Sequence, residues 1–569
     1  MTDVTTGGER HTFMGHPRGL VVLFFAEMWE RFSYYGMRAL LVLFLVQHFL
    51  MGQEEAAATY AAYAALVYLL PIVGGVIADR WLGARKAVTI GALFLVAGHF
   101  CMAFEGSGGR QFITIGGQEY QVETVGRDAD RQQFAVLGDE RSRIQFTPEG
   151  LTRDACADTA IPALTPRGGY TDRVERDGPG EATVLLAMAL IVVGVGFLKA
   201  NISNVVGALY AKDDPRRDAG FTWFYVGVNL GSLLAKIFCG WIGFKYGWAY
   251  GFGLAGFGML FGLIVFQVGQ PWLEGKAGPP PEMEGKKGLF GVPYGALFSI
   301  LGIVAVIPTW LLLQRHQVVE IGLSILGPLI FLGMILWTAF FLKGETRSRM
   351  LAALVLCIFS VLFWMLFEQA GSSLTLMAQN SVVMPGFLNA AQSNLVNPLM
   401  IVLLGPLFAI LWQFLAARRA EPSTPFKFSM ALIVMGLSFV MLAWATATQG
   451  NELFKIAFVW LALTYVLHTI AELMISPIGL SMITKLSAPK VIGLMMGVWF
   501  ISSSLAHALG GLVAGLTATE TVGGVVTDPA AALATYGQVY NLFGWVAVGV
   551  GAVLLLATPI LKKMMAGVK

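Results

Sequence analysis

The chain has 569 residues, 56% of them hydrophobic and only 13% charged, with a formal net charge of +3. Soluble globular proteins carry about a quarter charged residues, so this composition excludes an ordinary soluble domain and points to a bilayer. No nucleic-acid partner is expected. Four cysteines, Cys101, Cys156, Cys239 and Cys357, contain no CxxC pair, so neither a metal site nor a redox motif is indicated; they read as packing residues, with Cys156 alone in a polar stretch.

The first apolar run carries Glu and Arg and continues too far for a cleaved signal peptide, and it is read as the first span. Windows of about 19 residues, each able to cross about 30 Å of hydrocarbon as a helix, place spans at 19–50, 55–78, 87–104, 182–210, 220–244 and 249–270. A polar linker with Gly-Pro-Pro-Pro and Lys286-Lys287 follows at 271–290. Eight more spans are expected at 291–313, 321–342, 350–370, 398–417, 428–448, 454–484, 489–515 and 535–561. The predicted organisation is an all-α polytopic membrane protein of 14 spans. It comprises an N-terminal six-helix bundle over 1–270, a linker with two extra helices over 271–349, and a C-terminal six-helix bundle over 350–569.

Lys and Arg set the orientation. With the N-terminus inside, inner loops and tails hold 22 of them against three outside, Lys245, Arg315 and Lys455, the long loop being counted apart. Both termini are then cytoplasmic. The stretch 105–181 falls outside, with 14 acids, nine Arg and no Lys; alternation at Gln111–Ile115 and Tyr120–Val125 predicts a short hairpin there. It reads as an extramembrane insertion with no part in transport, since long loops tolerate insertions.

Four bases, Arg31, Arg38, Lys199 and Lys236, and four acids, Glu27, Glu30, Glu368 and Glu472, remain within the spans. Each costs about 2.5 to 3.5 kcal/mol at a helix centre on insertion scales, so eight unpaired charges would cost on the order of 20 kcal/mol. They must face protein, water or one another, and such residues mark ion pathways or substrate sites. On the first span Glu27, Glu30, Arg31, Tyr34 and Arg38 form one stripe at about 100° per residue. A carboxylate beside a guanidinium stays ionised, and protonating it releases the pair. Tyr34 and Tyr35 lie too deep for interfacial anchors. Lys199, in the glycine-rich run Gly194–Asn201, should find a carboxylate; Lys236 is expected to snorkel or pair structurally, and His468 to be a hydrogen-bonded interior imidazole. Glu368 precedes Gly371-Ser-Ser, where the span is expected to end. Pro477 after Glu472 predicts a bend and a moving gate.

Gly74-Gly75-Val-Ile-Ala-Asp79-Arg80-Trp-Leu-Gly83-Ala-Arg85-Lys86 resembles the signature loop of the major facilitator superfamily. The first-span run, with its ExxER pattern and two tyrosines, and Phe224-Tyr225-Val-Gly-Val-Asn229-Leu-Gly231-Ser232 resemble motifs of the proton-dependent oligopeptide transporter family, whose bacterial members have two extra helices between the bundles. The segments at Lys199, Phe363–Ser373 and Glu472–Gly479 are similar too, and the long outer loop departs. The resemblance implies proton coupling through Glu27, Glu30, Arg31, Lys199 and Glu368. It implies binding of the peptide carboxyl side by Arg38, Tyr34, Tyr35, Tyr68, Lys199 and Asn229. In the second bundle it implies a site lined by Trp364, Glu368, Asn397, Glu472, Trp499 and Ser503, with Glu472 on the peptide amino group.

The function implied is proton-coupled import of di- and tripeptides by alternating access, as a monomer in a bacterial inner membrane, with no cofactor and no metal. A family relative carrying nitrate or a metabolite conjugate is the alternative. A nucleotide-driven pump is excluded by the lack of GxxxxGK[ST]. A membrane enzyme lacks a metal cluster or a nucleophile and base pair, and a channel fits charges divided between two bundles less well.

Overall fold

The computed structural model describes residues 12–13, 15–126, 131–147, 149–154, 161–211, 214, 216–288, 291–488 and 491–567. Cys156 lies outside them. The first half contains α1 (Gly19–Gln47), α2 (Gln53–Ile77), α3 (Ala84–Cys101), α4 (Gly178–Ala208), α5 (Arg217–Tyr246) and α6 (Trp248–Val268). Next come α7 (Tyr294–Gln314) and α8 (His316–Phe341). The rest is α9 (Gly344–Phe367), a short α10 (Ser373–Ser381), α11 (Val396–Ala417), α12 (Thr424–Thr448), α13 (Phe458–Leu486), α14 (Ile492–Leu516) and α15 (Pro529–Met564). With α10 continuing α9, fourteen long helices stand where fourteen spans are predicted. Thirteen are long and apolar enough to cross a membrane among the described residues. The fourteenth, α1, has the length but carries the charged stripe.

Local chemistry sets the ends of these helices. Asp177 caps α4 by accepting from Gly180 N, and Asp528 caps α15 by accepting from Ala531 N, each with a proline in the first turn. Gly83, at φ +74°, turns the chain from a π-helical turn at Ala78–Leu82 into α3. Helix α1 packs on α5 and α6, and α4 on α2 and α3; among the later helices α12 packs on α13 and α15, and α9 on α14. Helices α7 and α8 keep many large apolar side chains exposed, among them Ile303, Ile307, Ile321 and Ile325, as suits a face turned to lipid.

One helix departs from expectation. The span holding Glu368 does not end at Gly371: it tightens into a 3-10 turn over Glu368–Gly371, breaks at Ser372 and resumes as α10. Gly371 and the serines make that break inexpensive, and Thr375 Oγ1 satisfies Ala370 O at 2.9 Å. Helix α13 runs unbroken past position 477, where a bend is expected; the Pro477 side chain lies outside the described residues.

The polar stretch 105–181 is more than a hairpin. Its predicted pair, Gln118–Val125 and Gly109–Ile115, belongs to a seven-stranded antiparallel sheet in the order Leu164–Pro166, Gly150–Arg153, Glu140–Thr147, Gln132–Leu137, Gln118–Val125, Gly109–Ile115 and Tyr170–Arg176. The remaining strands carry few apolar residues at alternate positions, with only Ile144 and Phe146 in Glu140–Thr147, so a period-2 hydrophobic pattern hardly marks them in the sequence. Ile113, Ile115, Tyr120, Val122 and Ile144 form a core of their own, into which Val522, from the link between α14 and α15, inserts. Gln133 Nε2 donates to Val522 O (2.8 Å), and Gln111 Oε1 accepts from Gly523 N (3.1 Å). Arg167 pairs with Asp528 at 2.9 Å, and Arg176 grips both Glu55 oxygens at the start of α2. The sheet therefore touches both halves of the helical body at one end.

Candidate functional site

On α1 the stripe is real and buried. Arg31 Nε lies 2.7 Å from Glu27 Oε1 and 3.0 Å from Glu30 Oε2. Two carboxylates on one guanidinium leave a net negative charge in a dry setting, and the remaining oxygens of Glu27 and Glu30 have no hydrogen-bond partner among the described residues. A proton relieves such a cluster.

Two turns further, Arg38 Nε donates to the Tyr60 hydroxyl at 2.5 Å and Arg38 Nη2 pairs with Glu368 Oε2. The 3-10 turn over Glu368–Gly371 brings the Glu368 carboxylate up to α1. Its other oxygen lies 3.3 Å from Nε2 of His507 on α14. Lys199 finds no carboxylate within ion-pair distance among the described residues; its ammonium sits 3.3 Å from the centre of the Tyr68 ring, a cation-π contact.

A cavity of about 220 Å³ opens where these helices meet. One wall comes from α1, α2 and α5: Tyr35, Arg38, Tyr68, Asn229 and Lys236. The facing wall comes from α9, α11 and α13: Trp364, Glu368, Asn397 and Glu472. Lys236 does not snorkel. It is buried, donates to Asn394 O at 3.0 Å and lies 5.6 Å from the Tyr35 ring centre. Glu472 Oε2 accepts from Asn397 Nδ2 at 2.9 Å. Asn229 Nδ2 is held by Tyr225 O, one turn back on α5.

Seven of the residues selected from the sequence stand back from the cavity: Glu27, Glu30, Arg31, Tyr34, Lys199, Trp499 and Ser503. Trp499 packs on Gly479, and Ser503 Oγ donates to Trp499 O at 3.4 Å. Sequence reasoning missed Tyr60, Tyr225, Ser232, Asn394, Ser476 and His507. Tyr225 stood within the Phe224–Ser232 motif, and His507 is a polar residue on an apolar helix; Tyr60 and Asn394 carry no such signal. His468 is buried among Phe367, Phe439 and Tyr465 with neither ring nitrogen bonded among the described residues, contrary to the bonded imidazole expected. No cluster of metal-ligating residues occurs among the described residues.

A buried cavity bearing charges of both signs, enclosed by membrane-length helices from both halves of the chain, is the arrangement of a transporter. Comparison with known proteins specifies which. A profile of the POT family matches residues 85–528. The chain is 34% identical to the uncharacterized transporter YclF of Bacillus subtilis, covering 98% of this chain and 96% of that one. It is 30% identical to a di-/tripeptide transporter of Lactococcus lactis, with 97% of each chain covered. Its structure is similar to that of a POT peptide transporter in complex with alafosfalin, with TM-score 0.73, 30% identity and 98% and 97% coverage. This chain belongs to the POT family, and it is an integral membrane transporter with the fold the motifs implied.

Proposed function

We propose that this protein is a proton-coupled symporter that imports di- and tripeptides by alternating access. One observation carries the reading: the cavity sets Arg38 and Lys236 on one wall and Glu472 on the other. A short peptide has a carboxylate and an ammonium at its ends, so opposite charges on opposite walls clamp it by both ends while its side chains vary. Tyr35, Tyr68, Trp364 and Phe367 offer rings to those side chains. Relatives named as di- and tripeptide transporters support the same substrate class.

The coupling rests on ion pairs. Protonation at Glu30 or Glu27 loosens Arg31, and protonation of Glu368 loosens Arg38, the base that an incoming carboxylate needs. Loss of the proton on the inner side re-forms the pairs. The two bundles, 1–270 and 350–569, would rock about the cavity, with α7 and α8 as an outer brace. The protein works as a monomer without cofactor, in a bacterial inner membrane, with both termini cytoplasmic and the sheet outside.

Uptake of labelled dialanine by proteoliposomes under an imposed inward pH gradient tests this. Accumulation above equilibrium is expected, abolished by Glu30→Gln while counterflow persists. Failure of the intact protein to accumulate dialanine, or gradient-driven accumulation in Glu30→Gln, overturns it; competition by nitrate but not by peptides assigns another substrate.

A further inference from the structure

His507 was not among the residues that the family motifs supplied, yet its ring is held from three sides. Its Nδ1 lies 2.7 Å from the backbone carbonyl of Ser503, one turn back on α14. A carbonyl only accepts, so Nδ1 carries the hydrogen. In the neutral ring Nε2 then has a lone pair, and this atom stands 3.3 Å from Glu368 Oε1, also a lone-pair atom when the carboxylate is ionised. Both side chains are buried, at 3% and 8% exposure. Two acceptors facing each other without water repel, and one proton between them converts the contact into a hydrogen bond.

From this geometry we infer that Glu368 and His507 hold one shared proton in this conformation, and that His507 is a proton-carrying residue of the coupling step. The inference rests on the proton-coupled reading above and adds a group to it. The proton enters from the cavity at the Glu368 carboxyl, which lines it, and is held along the short contact between Oε1 and Nε2. With the proton on Oε1, the Nε2 lone pair accepts from it while Nδ1–H stays on Ser503 O. The neutral carboxyl grips Arg38 less firmly, and the guanidinium turns to the substrate carboxylate. When the carboxyl later gives its proton to water, Glu368 and Arg38 pair again.

The ionisable groups facing the pair come from five helices: Arg38, Tyr34 and Tyr35 of α1, Tyr60 and Tyr68 of α2, Lys199 of α4 at the Tyr68 ring, and, across the cavity that Glu368 lines, Lys236 of α5 and Glu472 of α13. The imidazole stacks on Tyr68 with ring centres 4.5 Å apart, and the same ring carries the Lys199 ammonium. The other helices packed on α14 meet it with uncharged groups: Gln369 beside α9 donates to Gly510 O, Gly327 of α8 faces Leu505, and Gly479 of α13 faces Trp499. A proton on the pair adds positive charge beside Lys199 and Arg38, so loading one site is felt at the other two.

The test is the pH profile of dialanine uptake by His507→Gln, an uncharged side chain of similar reach. Counterflow should persist while the acid limb of gradient-driven uptake moves by about one pH unit or more. A profile superimposable on that of the native protein overturns the inference. If His507→Gln proves inactive in counterflow, infrared difference spectra of the native protein with isotope-labelled histidine decide: histidine and carboxyl bands that change together on proton loading support the pair, and carboxyl bands alone overturn it. Failure of the native protein to accumulate dialanine under a pH gradient overturns the underlying symporter reading and the shared-proton role with it. A shift or its absence in an active native background bears on His507 alone.

Discussion

Arg38 and Glu368, 330 positions apart in the chain, form an ion pair that joins the first span to the break between α9 and α10. Both are nearly excluded from water, so each is the other's main compensation for burial. The break matters because an unbroken helix would carry the Glu368 backbone on without the tight turn that presents its carboxylate to α1. Discontinuous helices at the binding site are a recurrent device in transporters, and here the device holds a titratable group.

Removing one partner of a buried pair costs about 3–5 kcal/mol, because the survivor stays buried and uncompensated. Arg38→Gln is therefore expected to lower thermal stability in detergent markedly, and the double substitution Arg38→Gln with Glu368→Gln to recover most of it. Both are expected to lose dialanine uptake. Recovery of uptake in the double variant would contradict a role for the pair in the transport cycle.

Glu472 accepts from Asn397 on one oxygen and lines the cavity, where its carboxylate can take an ammonium. Glu472→Gln should weaken competition by dialanine by about tenfold, the loss of roughly 1.4 kcal/mol of charge-assisted bonding. The same substitution should change competition by N-acetylated dialanine little, since that molecule has no ammonium. Equal losses for both compounds would remove Glu472 from recognition of the amino end.

The sheet offers a separate test. It belongs in sequence to the link between α3 and α4, yet its core receives Val522 from the other half of the chain. If the halves part at this end when the cavity opens, the seam must open too. A short thiol cross-linker between Gln133→Cys and Val522→Cys should stop uptake, and a cleavable linker should restore it on reduction. Undiminished uptake by the cross-linked protein would show that the seam stays shut throughout the cycle.

Asp177 ties the sheet to α4, accepting from Ser107 N at 2.7 Å, Ser107 Oγ at 3.0 Å and Gly180 N at 3.1 Å. These donors, the Ser107 backbone amide first, hold the carboxyl below its usual range. A depressed value means that the contribution to stability is fully present above the unfolded-state value, near pH 4, and is lost as pH falls through the lower folded value. Asp177→Asn should accordingly raise the rate of proteolysis between Glu105 and Gly109 at neutral pH. The difference from the native protein should narrow with acidification.

Much of this was legible in the residues because bilayer physics is strict. Apolar length set the spans, and charges inside them could only be functional or paired, so all eight intramembrane charges were worth pursuing. Which charge meets which was not legible. The pairing of Arg38 with Glu368 depends on a break at Gly371–Ser372 that looked like the end of a span, and the placement of Lys199 over Tyr68 depends on how α2 and α4 close together. Lys236 looked peripheral because a lysine can snorkel; packing of α5 against the 390–395 turn seals it in. The sheet was hidden for a different reason: only the strands Gly109–Ile115 and Gln118–Val125 alternate apolar and polar residues strongly enough to be seen.

Between α2 and α4, Gly74 lies so close to the carbonyl of Gly196 that a single added methyl group would have nowhere to go. Neither residue touches proton, peptide or cavity. A survey of inactive variants would nevertheless rank this pair beside Glu30 and Arg38, since prising the two helices apart displaces Tyr68 on one and Lys199 on the other. Loss of uptake therefore does not by itself place a residue in the pathway. Substitutions along the glycine seam will imitate coupling defects while leaving every coupling group in the sequence intact.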